Sequence, residues 1–352
     1  MLVGFPLNSL NQMRHVVYGG QFGSEGKGNV SEFLVKSFPG VKKVIAIGEN
    51  SPNSGHTCTR GKTRNIPAAS YFASAAFLGP DSVIDIDVIK KDIEAVKIFN
   101  PEFRVYVHEH AAIVNPDAVE MEDNMNLKSR IGSTQTGSGY ARHQKHMYRD
   151  VGCIVKGQYN PEELPFKVLT REDWMKFVSE VNTSEDVLFV FECSQGIMLD
   201  VNLGYYPFVT SRSTIPQVAL SRNGFDPMMW HYCGVYRTFP IRTGGNTGPT
   251  GAEELTWESL KLAAEIATVT GRTRRIFKWS QDDFEFSLQV CLPEFIFITH
   301  CDYIIEDNDL MVFLKNIKSK MSEFTNDDAD EEEPAFKIFA SRKPSEFGIV
   351  EI

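Results

Sequence analysis

The chain has 352 residues, 42% of them hydrophobic, 11% aromatic and 23% charged, which excludes a disordered or fibrous protein and leaves length enough for a large core. The formal charge is −10, but the run 327–333 carries six of those negatives, leaving about −4 elsewhere. That balance excludes a protein wrapped around duplex nucleic acid, whose phosphates demand a basic face, whereas a small phosphorylated ligand needs only a local positive site. Residues 1–14 read as an N-terminal extension with no targeting pattern, followed by a β-branched run at 15–18 that predicts a buried strand. Val30, Phe33 and Leu34 predict a helix over 29–37, and a second strand follows at 44–47. A helix over 88–99 and strands at 104–108 and 187–191 come next; then a glycine-rich surface loop at 243–251, an amphipathic helix over 255–269 and a strand at 295–299. The acidic segment 324–334 reads as a solvated loop.

This alternation predicts an α/β fold: a mainly parallel central sheet flanked by helices, elaborated as one domain over 1–352. The six cysteines form no C-x-x-C pair and predict reduced, buried thiols. No apolar run approaches the ~18 residues of a membrane span, and a cytoplasmic protein without membrane partners is expected.

Two loops carry the chemistry. The first strand runs into Gly19-Gly20-Gln21-Phe22-Gly23-Ser24-Glu25-Gly26-Lys27-Gly28 and straight on into a helix. Glycines let backbone amides converge on an anion, the helix N-terminus adds partial positive charge, and Lys27 adds a mobile cation, so a P-loop-like phosphate loop is predicted. Neither the Walker pattern nor the dinucleotide glycine pattern fits it. The second loop, Asn50-Ser51-Pro52-Asn53-Ser54-Gly55-His56-Thr57, follows the next strand. Parallel strands bring both loops to one sheet edge, where His56 could face a phosphate held by the first.

Gly23-x-Glu25-Gly26-Lys27-Gly28 with Asn53-x-Gly55-His56-Thr57 resembles the adenylosuccinate synthetase family. The resemblance continues through Gly132-Ser133-Thr134, Gln195-Gly196-x-x-Leu199-Asp200, Tyr206-Pro207-x-Val209-Thr210-Ser211 and Val269-Thr270-Gly271-Arg272-x-Arg274-Arg275, over roughly residues 15–345. It implies a ligase that moves a γ-phosphoryl group to a purine 6-oxygen and then displaces it with the amine of L-aspartate. It further implies that Gly23, Ser24, Glu25, Gly26, Lys27, Gly28, Gly55, His56, Thr57 and Asp302 hold the triphosphate, with Mg²⁺ at Ser24 and the Gly55 carbonyl. Ser24, Asn53, Ser133, Thr134, Gln195 and Thr210 would seat the acceptor nucleotide. Val269, Thr270, Gly271, Arg272 and Arg274 would bind aspartate, both arginine forks turned toward the dicarboxylate. His56 and Ser24 would flank the reacting atoms. By the same resemblance the protein is a homodimer in which Arg149, with Arg142 as its rival, reaches the neighbouring site.

Two departures from the family pattern sharpen the substrate. Ser24 stands where the family has the aspartate that takes the purine N1 proton, and losing that carboxylate leaves room for a 2-amino group. This resembles the bacteriophage branch of the family, which acts on dGMP. Thr299-His300-Cys301-Asp302 lacks the lysine that stacks on guanine, and Lys343 replaces a glycine, which together imply ATP or dATP as donor rather than GTP. The alternatives are an ordinary synthetase acting on IMP and an inactive nucleotide-binding sensor.

Overall fold

The structure, a computed structural model, describes residues 2–3, 13–158, 160–325 and 336–350. Most of the N-terminal extension and all but the first two residues of the acidic segment 324–334 lie outside the described residues. One large sheet organises the chain. Its strands are β1 (Leu2–Val3), β2 (Arg14–Gly19), β3 (Lys43–Gly48), β4 (Ala75–Leu78), β5 (Arg104–His108), β6 (Lys167–Leu169), β7 (Val187–Glu192), β8 (His231–Arg237), β9 (Phe295–Thr299), β10 (Lys337–Lys343) and β11 (Glu346–Val350). They lie in the order β1-β11-β10-β9-β8-β2-β7-β3-β4-β5-β6. The strands from β10 to β6 pair in parallel, and antiparallel β11 and then β1 close the other edge.

Both sheet faces are covered, as a parallel sheet requires. Along β7, Leu188 and Val190 pack toward α1 (Lys27–Lys36) and α2 (Ile86–Lys97), while Phe189 and Phe191 pack on the opposite face. Beyond α3 (Ser138–Tyr148), that second face is covered by α4 (Arg171–Thr183) and α5 (Pro216–Arg222). Next to them, α6 (Gln281–Cys291) and α7 (Asp307–Thr325) pack on Ile296 and Ile298 of β9. The five expected strands all occur, as do the helices expected at 29–37 and 88–99, and the six cysteines are buried and free of disulfides. Among the described residues, no helix is long and apolar enough to cross a membrane.

The helix expected over 255–269 does not form. In its place, Glu254–Leu255 adds an edge strand to a small sheet with Ile241–Arg242 and Arg275–Phe277, and 265–274 folds back as a hairpin. A helix there would bury its apolar stripe only against a core that does not exist, and Ile266 stays 56% exposed. Glu265 and Trp257 bind the hairpin instead, the first through arginine side chains and the second by donating Nε1–H to the Arg274 carbonyl at 2.7 Å.

Candidate active site

The main functional loops leave the carboxyl ends of the five central strands, β9, β8, β2, β7 and β3, the edge at which parallel sheets bind ligands. After β2 the chain turns through Gly23, Ser24 and Gly26, with φ of 86°, 62° and 92°. This left-handed backbone suits glycine and is uncommon elsewhere, so Ser24 is held there by its surroundings. Glu25, fully buried, braces the turn from below: it accepts from the Gly23 amide at 2.7 Å and pairs with Lys27 Nζ at 2.9 Å. Lys27 also donates to the Gln195 carbonyl at 2.7 Å. The loop is pinned from beneath by Thr299, whose hydroxyl donates to the Glu25 carbonyl at 2.7 Å, and by Arg237, whose Nη1 donates to the Ser24 carbonyl at 3.2 Å.

Gly28 lets α1 lie against the hairpin of His56–Cys58 and Gly61–Thr63, since a Cβ there would sit 2.3 Å from the Thr57 carbonyl oxygen. Gly28→Ala is therefore expected to destabilise the protein by about 1–3 kcal/mol through overpacking. Thermal unfolding beside wild type checks this, and an unchanged midpoint would show the hairpin free to move.

His56 is buried on that hairpin. Its Nδ1 is hydrogen-bonded to Glu192 at the end of β7, and Nε2 lies 2.9 Å from Asn50 Nδ2. Burial alone would raise the Glu192 carboxyl, but the charge and hydrogen bond of His56, with the Ser31 hydroxyl at 2.9 Å, hold it below the usual carboxylate range. A carboxylate on Nδ1 fixes the orientation of the ring.

Two adjoining clefts meet at Ser24, Lys27, Gly55 and His56, which line both. The first flank, of about 260 Å³, adds Gly23 of the phosphate loop together with Asn53, Ser133, Thr134, Gln195 and Thr210, residues expected to seat the acceptor nucleotide. Glu122 is the one carboxylate lining it among the described residues, and its oxygens accept from the Gly137, Gly139 and Tyr140 amides. The second flank, of about 270 Å³, adds Gly26, Gly28, Thr57, Thr268, Arg274 and His300. Burial and the neighbouring Arg237 push His300 down to about 3, so it is neutral there at neutral pH.

The hairpin 265–274 closes over this second flank, with Thr268 and Val269 against Gly55, Gly271 at its turn with φ of 66°, and the Thr270 hydroxyl accepting from the Arg272 amide at 3.4 Å. The two arginine forks part company. Arg272 donates to the Gly244 and Ser133 carbonyls at 3.2 and 3.4 Å, while Arg274 pairs with Glu265 at 2.6 Å. Glu265 also pairs with Arg237 and accepts from the Tyr303 hydroxyl at 2.7 Å. Burial works against ionisation of Glu265, yet Arg237 and Tyr303 hold it down to about 2. Its folded value lies below the ordinary 4.5, so its contribution is present above that pH and is lost as pH falls from 4.5 toward 2. Wild type is expected to exceed Glu265→Gln by about 3 kcal/mol at neutral pH, the gap closing toward pH 2 in urea unfolding.

A family model described as adenylosuccinate synthetase matches residues 16–177 and 158–333, which takes in both loops, the nucleotide cleft and the arginine hairpin. The chain belongs to the adenylosuccinate synthetase family. As a member it is a carbon–nitrogen ligase. It is 32% identical to the N6-succino-2-amino-2'-deoxyadenylate synthase of Vibrio phage phiVC8, over 81% of this chain and 84% of that protein. It is 31% identical to the adenylosuccinate synthetase of Methanococcus aeolicus, over 78% of this chain and 80% of that one. Among solved structures, the fold is similar to the cyanophage S-2L succinoaminodeoxyadenylate synthetase bound to dGMP and dATP. That comparison has a TM-score of 0.77 at 22% identity and covers 95% of this chain and 93% of the other.

Not every residue expected at the synthetase site reaches it. Asp302 is exposed on the turn after β9 and lines neither cleft, and Arg149 is exposed at the end of α3. The loop 243–251, expected as plain surface, is partly buried, and its Thr243 and Thr247 line the nucleotide cleft. The sequence reading missed Glu192, Arg237, Glu265 and Arg242, the last held by the Pro249 and Phe208 carbonyls at 2.7 Å each and stacked on Phe22. Glu192 and Arg237 did carry a signal: each is a charged residue closing an otherwise apolar parallel strand, at the edge where ligands bind.

Proposed function

We propose that this synthetase joins L-aspartate to C6 of dGMP, with ATP or dATP as phosphoryl donor, giving 2-aminodeoxyadenylosuccinate, inorganic phosphate and the diphosphate. The observation that carries this reading is Ser24: an exposed hydroxyl at the junction of the two clefts, with Glu122, the one carboxylate lining the nucleotide cleft among the described residues, occupied by backbone amides. A site without a free carboxylate at that junction accommodates a 2-amino purine. The phage relatives named for the 2-amino product support it.

In the first step the γ-phosphoryl group passes to the purine 6-oxygen, with Lys27 and the amides of Gly26–Gly28 holding the phosphate oxygens and His56 donating to the transferred group once its Nε2 exchanges Asn50 for the ligand. In the second, the aspartate amine attacks C6 and phosphate leaves, while Arg274, which lines the second cleft, holds a carboxylate, and Arg272 joins it on releasing the Gly244 and Ser133 carbonyls. Thr134 and Thr210 suit the 5'-phosphate, with Asn53, Ser133 and Gln195 beside it. Among the described residues, no group of three or more His, Cys, Asp or Glu side chains is placed to hold a metal, so Mg²⁺ fits here as an ion bound mainly by phosphate and water. Its protein ligands would be the Ser24 hydroxyl and the Gly55 carbonyl, and when bound it neutralises phosphate charge.

A homodimer is part of the proposal. Arg149 is exposed beside Met147, Tyr148 and Val151, which are 63%, 55% and 55% exposed, an apolar rim suited to a second copy. Its rival Arg142 is buried against Ser211 and Asp81 and is not free to cross an interface.

The test supplies purified protein with aspartate, ATP or dATP, and dGMP, GMP or IMP in parallel, and follows the succinylated product by mass. Turnover of dGMP is expected. Turnover of IMP alone would make the protein an ordinary synthetase, and no product with any purine would leave a binding protein.

A further inference from the structure

We propose that Glu265 is the positioning residue for the aspartate-binding arginine, and that through Arg237 it ties aspartate affinity to the seating of the phosphate loop. The inference rests on the reading of Arg274 as an aspartate ligand given above.

Arg274 stands on the arm of the hairpin 265–274, and its flexible side chain would otherwise sample many rotamers before meeting a carboxylate. Glu265 removes that freedom by taking one corner of the fork, Nη1 at 2.6 Å. The other donors of this guanidinium have no protein partner among the described residues, and Arg274 lines the cleft with Lys27, Gly55 and His56. One corner anchored and the rest open is the arrangement that presents a fork to an incoming carboxylate.

The other side of Glu265 is equally definite. Arg237 is fully buried, and its guanidinium serves both Glu265 and the Ser24 carbonyl. Its backbone is locked to Gln21 of the phosphate loop by two bonds, the Arg237 amide donating to Oε1 at 3.0 Å and Gln21 Nε2 donating to the Arg237 carbonyl at 3.1 Å. Three charges therefore stand in line, Arg237, Glu265 and Arg274, and leave one positive charge unanswered, facing the cleft. Moving the phosphate loop shifts Arg237, and Glu265 transmits the shift to Arg274. Glu265 touches none of the reacting atoms, because both of its oxygens are taken up by protein donors.

Glu265→Gln keeps the shape and the Tyr303 contact and removes the charge. We expect an aspartate KM raised about 20-fold with kcat within about threefold of wild type. In wild type the apparent aspartate KM should fall as the triphosphate is raised from below to above its own KM, and in Glu265→Gln it should stay flat. Tyr303→Phe removes a neutral contact and should raise the aspartate KM about threefold. An unchanged aspartate KM in Glu265→Gln, or a loss confined to kcat and melting temperature, would overturn the proposal. If wild type makes no succinylated product, the functional reading has failed, and calorimetric titration of L-aspartate into both proteins with ATP present decides this inference: equal affinities overturn it.

Discussion

His56→Asn is expected to lower kcat about 10²–10³-fold, the usual effect of losing one donor aimed at developing negative charge, while the KM of each substrate stays within about threefold. The expectation follows from the fixed geometry of the ring: Glu192 is held ionised beneath it at Nδ1, and the whole residue is buried between two clefts. Glu192→Gln should give a smaller fall, because the ring remains but loses the carboxylate that orients it. Steady-state kinetics checks both variants, and a Glu192→Gln kcat equal to wild type would remove the carboxylate from the mechanism.

Ser24→Asp is the second large effect. The backbone tolerates it, since Ser24 sits at φ 62° and aspartate is among the residues enriched in that region. A new carboxylate at the junction of the clefts would accept the purine N1 proton and crowd a 2-amino group. The ratio of kcat/KM for dGMP to that for IMP should fall about 10²-fold, or ~3 kcal/mol of discrimination. Competition of the two nucleotides in one tube measures the ratio directly, and an unchanged ratio would show that Ser24 does not read the base.

What could be read in advance was whatever is local. The strands 15–18, 44–47 and 187–191 announce themselves by β-branched and aromatic runs, and both loops by glycine beside Lys27 or His56. Strand β4, Ala75–Leu78, is too poor in such residues, and β8 is interrupted by Gly234; their burial comes from neighbours, not from their own composition. The false helix at 255–269 failed for the converse reason, a good local pattern with no core to meet. The charged residues that were missed are non-local: Glu192 answers His56 across 136 positions and Arg237 answers Glu265 across 28. A single sequence shows each such residue alone, and a lone buried charge has no meaning until its partner is beside it.

The order of the strands has a consequence for how the protein is made. Strand β2 and the phosphate loop lie near the start of the chain, yet the neighbours that hold β2, β7 and β8, begin at residues 187 and 231. During synthesis the apolar strand that carries the nucleotide loop leaves the ribosome with both hydrogen-bonding edges open, and it waits until the chain from residue 187 onward is made before either is covered. The loop is thus made well before it can take its shape, and a truncated chain ending before β8 cannot hold a formed site.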